Sequence, residues 1–382
     1  MRFFHLSDLH IGAKLIHRDL REDQKHIFAQ IADLAARYVP DAVVIAGDIY
    51  DKSVPAAESV AVFDRWISAL TEAVPAAEIM LISGNHDSAT RLNAFRSILS
   101  RQRIHMIGLP PAREEEHIEK VVLHDAFGDV NFYLLPFVKP SMVRQIVGTD
   151  EQGNSLTYDA AVRALLEREN VDVSERNVLV SHQFYLPVGA DAASVERMDS
   201  EVRTVGNIDE VGADVLARFD YAALGHIHKP TRLGSEFCRY CGTPLAYSVS
   251  EAGQEKGVVM VDMGAKGDIS AQILPLTPLR QVRVLRGELS QVLELSCGDY
   301  VTVILTDRVD LDVIDMQDRI RSAFPNLLEI RREAVRRADY TAEAAPETET
   351  DPFTLCSLFL GEMDEAEREL LRDVIHTVLE VK

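Results

Sequence analysis

The sequence predicts an α/β fold in which two mixed β-sheets are sandwiched by helices, followed by a small α+β domain and a C-terminal helical tail. Three observations lead to this prediction. Short apolar runs alternate with amphipathic stretches over residues 1–275, which is the β-α-β rhythm of a layered domain. The later apolar runs of this region lie close together, which is typical of antiparallel strands. Near residue 341 the composition changes to Ala, Glu, Thr and Pro.

The elements of the first region follow from local pattern. We expect strands where apolar residues run without interruption, and helices where they recur every three or four residues. In chain order these are a strand at Arg2–Leu6, a helix at His17–Tyr38, a strand at Ala42–Ala46, a helix at Ala56–Ala73, a strand at Ile79–Ser83, and strands at Asn131–Leu135, Val178–Ser181, Tyr221–Leu224, Arg232–Tyr240 and Gly257–Asp262.

The second predicted domain covers residues 276–340 and follows the proline punctuation Pro275–Pro278, which is typical of a linker. Its patterns predict a strand at Tyr300–Leu305, a helix at Asp312–Phe324 and a strand at Leu327–Arg331.

The third region, residues 341–382, contains eleven acidic and three basic residues. We expect a tether at Thr341–Asp351, then short helices at Phe353–Leu360 and Glu365–Val381. The first of these helices is too short to be stable alone in water, so its apolar face needs a partner. That partner is either the groove of another protein or the chain's own domain.

Charge and cysteine usage restrict the function. With 40 Lys and Arg against 61 Asp and Glu, the net charge is −21, which excludes a protein that grips nucleic acid through side-chain charge alone. If the protein acts on phosphates, bound metal is the obvious source of the positive charge that they require. The chain has no apolar run of the roughly 20 residues a membrane span needs, so no membrane association is expected. Four cysteines in a chain of this length predict reduced thiols and a cytoplasmic location. Cys238 and Cys241 lack a second pair, so we interpret them as half-buried thiols rather than a zinc or redox site.

Five short motifs place metal-binding side chains where predicted strands end. They are Asp8-Leu9-His10, Gly47-Asp48, Gly84-Asn85-His86-Asp87, Ser181-His182 and Gly225-His226-Ile227-His228. Each motif alone has a plainer interpretation as a turn or a helix cap. Their joint occurrence favours one site at the carboxyl ends of the strands. His5 and the six other histidines lie outside these motifs and are interpreted as packing or surface residues.

The donor types indicate which ions such a site would hold. Carboxylates, imidazoles and an amide oxygen suit two divalent cations, Mn²⁺ first, with Mg²⁺, Fe²⁺ or Zn²⁺ as competitors. Asp8 and His10 would face one side of an extended segment, as would His226 and His228, and Asp48 can bridge both ions. Such a pair can polarise a phosphodiester and lower the pKa of a water molecule towards 7.

These motifs, extended to Ser7–Gly12, Ala46–Asp51, Ser83–Asp87 and Leu224–Pro230, resemble those of the calcineurin-like metallophosphoesterase superfamily, in its nuclease branch. Leu135–Pro140 and Tyr240–Leu245, with Glu251 soon after, are similar to the bacterial SbcD family. The resemblance is dense in the first region. The second region matches the family's capping domain by size and position only, and the tail from Asp351 resembles the segment that docks on the SbcC-type coiled-coil ATPase.

The resemblance implies roles for named residues. One metal would be held by Asp8, His10, Asp48 and His228, and the other by Asp48, Asn85, His182 and His226. His86 would stabilise developing charge and protonate the leaving oxygen, and Asp87 would orient or charge His86. Archaeal and eukaryotic relatives tend to carry a second histidine just after the Gly-Asp motif, where this chain has Asp51 and Lys52.

The function expected from the resemblance is a DNA nuclease of an SbcCD-type repair complex, an ATP-dependent double-strand exonuclease and single-strand or hairpin endonuclease. Two copies would work with two ATPase subunits, and Arg331-Arg332 and Arg336-Arg337 would either contact DNA or form a solvated edge. The first alternative is a stand-alone phosphatase or cyclic-nucleotide phosphodiesterase. The second, a scaffold with a decayed site, is disfavoured by the complete ligand set.

Overall fold

The computed structural model describes residues 1–187, 198–201, 209–307, 313–333, 353, 356–357 and 364–380. Its strands are β1 (Arg2–Leu6), β2 (Lys14–Leu15), β3 (Arg18–Asp19), β4 (Ala42–Ala46), β5 (Glu78–Ile82), β6 (Ile104–Ile107), β7 (Glu119–Asp125), β8 (Gly128–Leu135), β9 (Arg176–His182), β10 (Phe184–Leu186), β11 (Glu210–Gly212), β12 (Tyr221–Gly225), β13 (Thr231–Leu233), β14 (Ser235–Tyr240), β15 (Gly257–Met263), β16 (Ile269–Pro275), β17 (Val282–Gly287), β18 (Tyr300–Leu305) and β19 (Leu327–Arg332). Its α-helices are α1 (Arg21–Tyr38), α2 (Ala57–Ala73), α3 (Ala89–Leu92), α4 (Arg96–Leu99), α5 (Pro140–Val147), α6 (Tyr158–Arg168), α7 (Leu289–Leu293), α8 (Val313–Ala323) and α9 (Glu365–Glu380).

Two six-stranded mixed sheets form the centre of the molecule. The first has the order β16-β15-β1-β4-β5-β6, and the second has the order β13-β14-β12-β9-β8-β7. In the first sheet β1, β4, β5 and β6 run parallel to one another. Strand β15 is antiparallel to β1, and β16 is antiparallel to β15. In the second, β8, β9, β12 and β14 run parallel between antiparallel edge strands. The predicted pair of mixed sheets is confirmed.

The two sheets pack face to face and are covered by helices on their outer faces. Between them Phe3 makes edge-on contacts with Phe132 and Tyr221, each with ring centroids 5.4 Å apart. Outside the first sheet, Ile27 and Phe28 of α1 and Trp66 of α2 are buried in one cluster. Residues of α5 and α6 are buried against the outer face of the second sheet. The result is a four-layer domain of helices, two sheets and helices.

Residues 279–333 add a small sheet with its own apolar core. Its strands β17, β18 and β19 run parallel, and α7 and α8 close a core that contains Val292, Val303, Ile320 and Phe324. The chain divides into two compact units, Met1–Glu333 and Ala334–Lys382. The described part of the second unit contains α9, close to the predicted Glu365–Val381. The predicted tether at Thr341–Asp351 and most of the predicted helix at Phe353–Leu360 lie outside the described residues.

Two local predictions are wrong, each for a backbone reason, and a third is right only in part. Helix α1 begins at Arg21 rather than His17, because a left-handed turn at Ile16 (φ 57°) joins β2 to β3 first. The strand predicted at Arg232–Tyr240 is a hairpin of β13 and β14, which breaks at Gly234 (φ 67°). The late strands are only partly antiparallel, since β12 and β14 pair in parallel.

Across the described ranges, we find no helix with both the length and the apolar composition that a membrane span requires.

Candidate metal centre

The predicted metal-binding residues lie at the carboxyl ends of strands from both sheets. They are Asp8 and His10 after β1, Asp48 after β4, Asn85 after β5, His182 at the end of β9, and His226 and His228 after β12. The loops after β1 and β4 continue the sheet, because the amides of Asp8 and His10 donate to the carbonyls of Gly47 and Asp48 at 3.0 and 2.9 Å.

Four of these residues have left-handed backbone conformations. Asp8, His10, Asp48 and His226 have φ of 52°, 42°, 50° and 105°, which is uncommon for residues other than glycine. The expectation that Asp8 and His10 share a face of an extended segment is therefore wrong. They reach one site because the backbone turns at each of them.

Two glycines allow the loops to approach closely. A Cβ on Gly84 would lie 2.1 Å from the Asp48 carboxylate, and a Cβ on Gly47 would lie 2.3 Å from Nδ1 of His182. Gly47 also has φ of 85°, which an L side chain rarely adopts. Any side chain at either position would displace a predicted ligand.

The first group of donors surrounds His10. Nε2 of His10 lies 3.1 Å from Nε2 of His228 and 3.6 Å from Oδ2 of Asp48. Both imidazoles are buried, and burial lowers the pKa of His10 well below its ordinary value, which favours the neutral form that binds metals. One ligand atom each from Asp8, His10 and His228 fits within 4.8 Å.

The second group surrounds Asn85. Its Oδ1 lies 3.1 Å from Nε2 of His182 and 3.0 Å from Nδ1 of His226. His182 donates Nδ1–H to the carbonyl of Ala46 at 2.7 Å, because a carbonyl can only accept. Burial alone would lower the pKa of His182, but in the metal-free chain the Asp48 carboxylate raises it to about 9. In the neutral ring that binds a metal, the bond to Ala46 keeps the hydrogen on Nδ1 and leaves Nε2 facing the site.

Asp48 stands between the two groups. Its Oδ2 is 3.3 Å from Nε2 of His182 as well as 3.6 Å from Nε2 of His10, and its Oδ1 accepts the backbone amide of His86 at 2.9 Å. Burial alone would raise the pKa of Asp48, but the imidazoles of His182 and His10 hold it well below its usual value. The structure thus brings together all seven predicted ligands, of which six are buried and Asn85 is half-buried, and this set of carboxylate, imidazole and amide donors fits a pair of divalent cations.

His86 lies beside the first group without the partner that we expected. Its ring contacts His10 with centroids 4.7 Å apart, and its Nδ1 donates to the carbonyl of Asp51 at 2.9 Å. Asp87 accepts instead from the amides of Ile49, Tyr50 and Gly84 at 2.9–3.0 Å. We therefore revise its expected role. Asp87 holds two ligand loops together, and the Asp51 carbonyl orients His86.

Burial also affects the charge of Asp87. Burial, together with the nearby Asp48 carboxylate, raises the pKa of Asp87 to about 7, although three backbone amides act in the opposite direction.

Gln24 of α1 supports the loop that carries His10. Its amide donates to the carbonyl of His10 at 2.8 Å, and its carbonyl accepts the amide of Gly12 at 3.0 Å. Its neighbour Asp23 accepts from Tyr300 and Arg280 of the small sheet domain at 2.8 and 2.9 Å. Gln24 was not among the predicted site residues, although a polar residue on the apolar face of a predicted helix is a usable signal.

A cleft of about 550 Å³ opens over His10 and His228, and Lys14, Asp51 and Arg331 also line it. Arg331 forms an ion pair with Glu329 at 2.6 Å, and Arg336-Arg337 lie outside the described residues. The described residues that could hold a metal as a group include no cysteine. Of the two thiols predicted to be half-buried, that of Cys238 is, whereas that of Cys241 is fully buried and donates to the carbonyl of His5 at 3.2 Å.

Comparison with known proteins identifies the family. Residues 1–230 match the family model described as calcineurin-like phosphoesterase, and residues 278–364 match that described as type 5 capsule protein repressor C-terminal domain. The SbcD subunit of the nuclease SbcCD from Staphylococcus epidermidis is 30% identical over 336 residues, which cover 86% of this chain and 84% of the relative. The chain belongs to the SbcD family of calcineurin-like phosphoesterases. SbcD-family membership makes it an enzyme, a metal-dependent phosphoesterase.

The solved structures that this SbcD-family chain matches differ from it strongly in sequence. GAP50, the anchor in the inner membrane complex of Plasmodium, is 11% identical with a TM-score of 0.44, over 86% of this chain and 96% of that one. A dimetal phosphatase from Danio rerio is 15% identical with a TM-score of 0.39, over 73% of this chain and 99% of that one.

Proposed function

We propose that this chain is the nuclease subunit of an SbcCD-type DNA repair complex and that it hydrolyses DNA phosphodiesters with two divalent cations, Mn²⁺ by preference. Its activities would be ATP-dependent exonuclease action on double strands and endonuclease action on single strands and hairpins. The observation that carries the proposal is the arrangement of two donor groups that share one buried carboxylate, Asp48.

In the proposed site Asp8, His10, Asp48 and His228 hold one cation, and Asp48, Asn85, His182 and His226 hold the other. When bound, such a pair polarises the phosphodiester and acidifies a water molecule.

The chain's own contribution to proton transfer comes from His86. Because Nδ1 of His86 donates to the Asp51 carbonyl, Nε2 is the atom that remains to exchange a proton with substrate. In the imidazolium form Nε2–H would donate to the oxygen that leaves phosphorus. Asp87 would act by holding the loops of Asp48 and His86 in register.

The cleft beside this site carries charges of both signs. Lys14 and Arg331 line it with Asp51, Asp199 and Glu329, so a DNA backbone would contact the two basic side chains once bound cations offset the carboxylates. The net charge of −21 makes it unfavourable for the chain to grip DNA alone, so a partner would supply most of the grip.

The described part of the tail supports a docking role. In α9 the apolar side chains of Leu370 and Val374 are 66% and 50% exposed and lie four residues apart, on one face of the helix. We propose that this face binds the coiled-coil base of an SbcC-type ATPase. Two nuclease and two ATPase subunits would form a heterotetramer in the cytoplasm, in keeping with the free thiols of the four cysteines.

The test is cleavage of linear duplex DNA and hairpin-ended DNA by the full chain in Mn²⁺, with and without the co-purified ATPase and ATP. We expect cleavage that increases with the partner and ATP. The matched pair of variants is His86→Gln, which should be inactive, and His124→Gln, whose side chain is 77% exposed and away from the site. Absence of DNA cleavage under every condition would refute the proposal.

Bis-p-nitrophenyl phosphate distinguishes the alternative function. Turnover of this small ester with no preference for DNA, and with no effect of deleting residues 341–382, would favour a stand-alone phosphodiesterase.

A further inference from the structure

A hydroxyl hydrogen-bonds to the imidazole of His228 at the nitrogen that faces away from the first donor group. Nε2 of His228 faces the first donor group, 3.1 Å from Nε2 of His10. Its other nitrogen, Nδ1, lies 2.7 Å from Oγ of Ser200. The same hydroxyl lies 2.7 Å from Oε1 of Glu251. A chain of two short hydrogen bonds therefore runs from the metal-facing ring to a carboxylate.

The direction of these hydrogen bonds is fixed by the ion pair at the end of the chain. Oε2 of Glu251 lies 2.7 Å from Nζ of Lys256, so Glu251 is an ionised acceptor. Ser200 must then donate its single hydrogen to Glu251 and accept from His228. In the neutral form of the ring that binds a metal, the hydrogen of His228 therefore lies on Nδ1, and Nε2 presents its lone pair to the first donor group.

The ion pair also holds the backbone of His228. Lys256 donates to the carbonyl of His228 at 3.1 Å and to Oγ1 of Thr243 at 2.7 Å. The side chains of Glu251 and Lys256 are 0% and 6% exposed, and a charge pair buried to this degree is retained only when further hydrogen bonds satisfy it. Both the ring and the peptide of His228 are therefore fixed by one network.

The residues on either side of Ser200 make further hydrogen bonds near His228 and Glu251. The amide of Asp199 donates to Oγ of Ser250 at 2.9 Å, and Glu201 accepts the amide of His228 at 3.0 Å. Residues 199–201 thus contact both the loop of His228 and the turn that contains Ser250 and Glu251. The sequence offers no motif that marks this segment.

His182, in the second donor group, has a different support. Its Nδ1 donates directly to the backbone carbonyl of Ala46, an uncharged acceptor. An imidazole whose outer nitrogen hydrogen-bonds to a carboxylate network is a more basic and better oriented ligand. The two groups are therefore supported unequally.

We propose that Ser200 and Glu251 are positioning residues that selectively raise the affinity of the metal site formed by Asp8, His10, Asp48 and His228. The inference rests on the proposed two-metal function and adds which residues outside the ligand set control one of its two sites. Ser200 lines the cleft beside His228, Glu251 is fully buried, and neither is a proposed metal ligand. Their effect passes through the orientation and tautomer of His228.

The experiment is calorimetric titration of the metal-free full chain with Mn²⁺, without DNA. The variants are Ser200→Ala, which removes the hydroxyl, and Ser200→Thr, which keeps it. Glu255→Gln is the control, because Glu255 is exposed and next to Lys256. We expect two ions per chain in the wild type. In Ser200→Ala one site should weaken by about 10- to 100-fold while the other changes less than about twofold, and Ser200→Thr should resemble the wild type.

Electron paramagnetic resonance supplies a readout that a packing defect would not change. At two equivalents of Mn²⁺ the wild type should show a spin-coupled pair, whereas Ser200→Ala should show the signal of isolated ions. Glu251→Gln should give the same change, which provides a second variant if one fails to fold. Urea unfolding of each metal-free variant, followed by the fluorescence of Trp66, checks that the chains compared are folded.

Unchanged affinity at both sites in Ser200→Ala, or an equal loss in Ser200→Thr, would overturn the inference. A wild type that binds no pair of ions would overturn both the inference and the metal centre. A wild type that binds two ions but does not cleave DNA would refute the proposed substrate and leave the role of Ser200 supported.

Discussion

Acid should destabilise this protein through a histidine that takes no part in catalysis. His5 of β1 is fully buried, and both ring nitrogens have partners. Nε2–H donates to the carbonyl of Leu224 at 3.2 Å, so Nδ1 accepts from the hydroxyl of Tyr221 at 3.0 Å. This arrangement suits only the neutral ring. Burial lowers the pKa of His5 from 6.5 to about 3.

The size and sign of the effect follow from proton linkage. The unfolded chain binds a proton at His5 near pH 6.5, whereas the folded chain binds it only near pH 3, so stability rises with pH in this window and falls as acid is added. Between about pH 7 and pH 5 the free energy of unfolding should decrease by about 2 kcal/mol through His5 alone.

The assay compares the metal-free wild type with His5→Gln, whose amide can replace both hydrogen bonds but does not titrate. Urea unfolding at the two pH values is followed by the fluorescence of Trp66, the only tryptophan, which is buried against Phe28. Other groups titrate in both proteins, so the difference between them isolates His5. If both lose the same free energy on acidification, the assignment of a buried neutral imidazole is wrong.

Three further predictions concern the site. In His86→Gln we expect two Mn²⁺ ions to bind, as measured by calorimetry, while kcat falls by about 10²- to 10⁴-fold; activity near that of the wild type would contradict the assigned proton transfer. In Asp87→Asn an amide group would face backbone N–H donors, so urea unfolding should show a loss of about 1–3 kcal/mol; unchanged stability would mean that the carboxylate does not hold the loops. In Gln24→Leu the half-buried amide of Gly12 loses its partner and the carbonyl of His10 keeps only the amide of Ala13, so we expect a similar loss together with weaker Mn²⁺ binding; normal binding would show that α1 does not support the loop.

Much of the fold was predictable because buried parallel strands are continuous apolar runs. Ala42–Ala46 and Tyr300–Leu305 have the predicted bounds, since both are flanked by turn residues. The two-residue strands β2 and β3 were not predictable, because a hairpin so short has no periodicity. The split at Gly234 was missed because a single glycine inside a predicted strand does not reveal its φ.

The convergence of the proposed ligands was predictable for a related reason. Each follows an apolar run, and the carboxyl ends of such runs converge in a layered α/β domain. The hydrogen bonds around them were not predictable. The contact of His86 with the Asp51 carbonyl depends on a backbone atom, which carries no residue-type signal. Ser200 is an isolated serine, and only the folded chain brings it to His228.

The left-handed backbone at Asp8, His10, Asp48 and His226 has a consequence for how cations are captured. Each such residue is disfavoured by roughly 1–2 kcal/mol relative to right-handed geometry, and strand pairing and burial must outweigh that amount before any ion arrives. The loops are consequently preorganised, because their conformational entropy is lost during folding rather than on cation binding. An incoming ion finds its donors already converged, so the strength of capture is set by charge and desolvation instead of by loop closure.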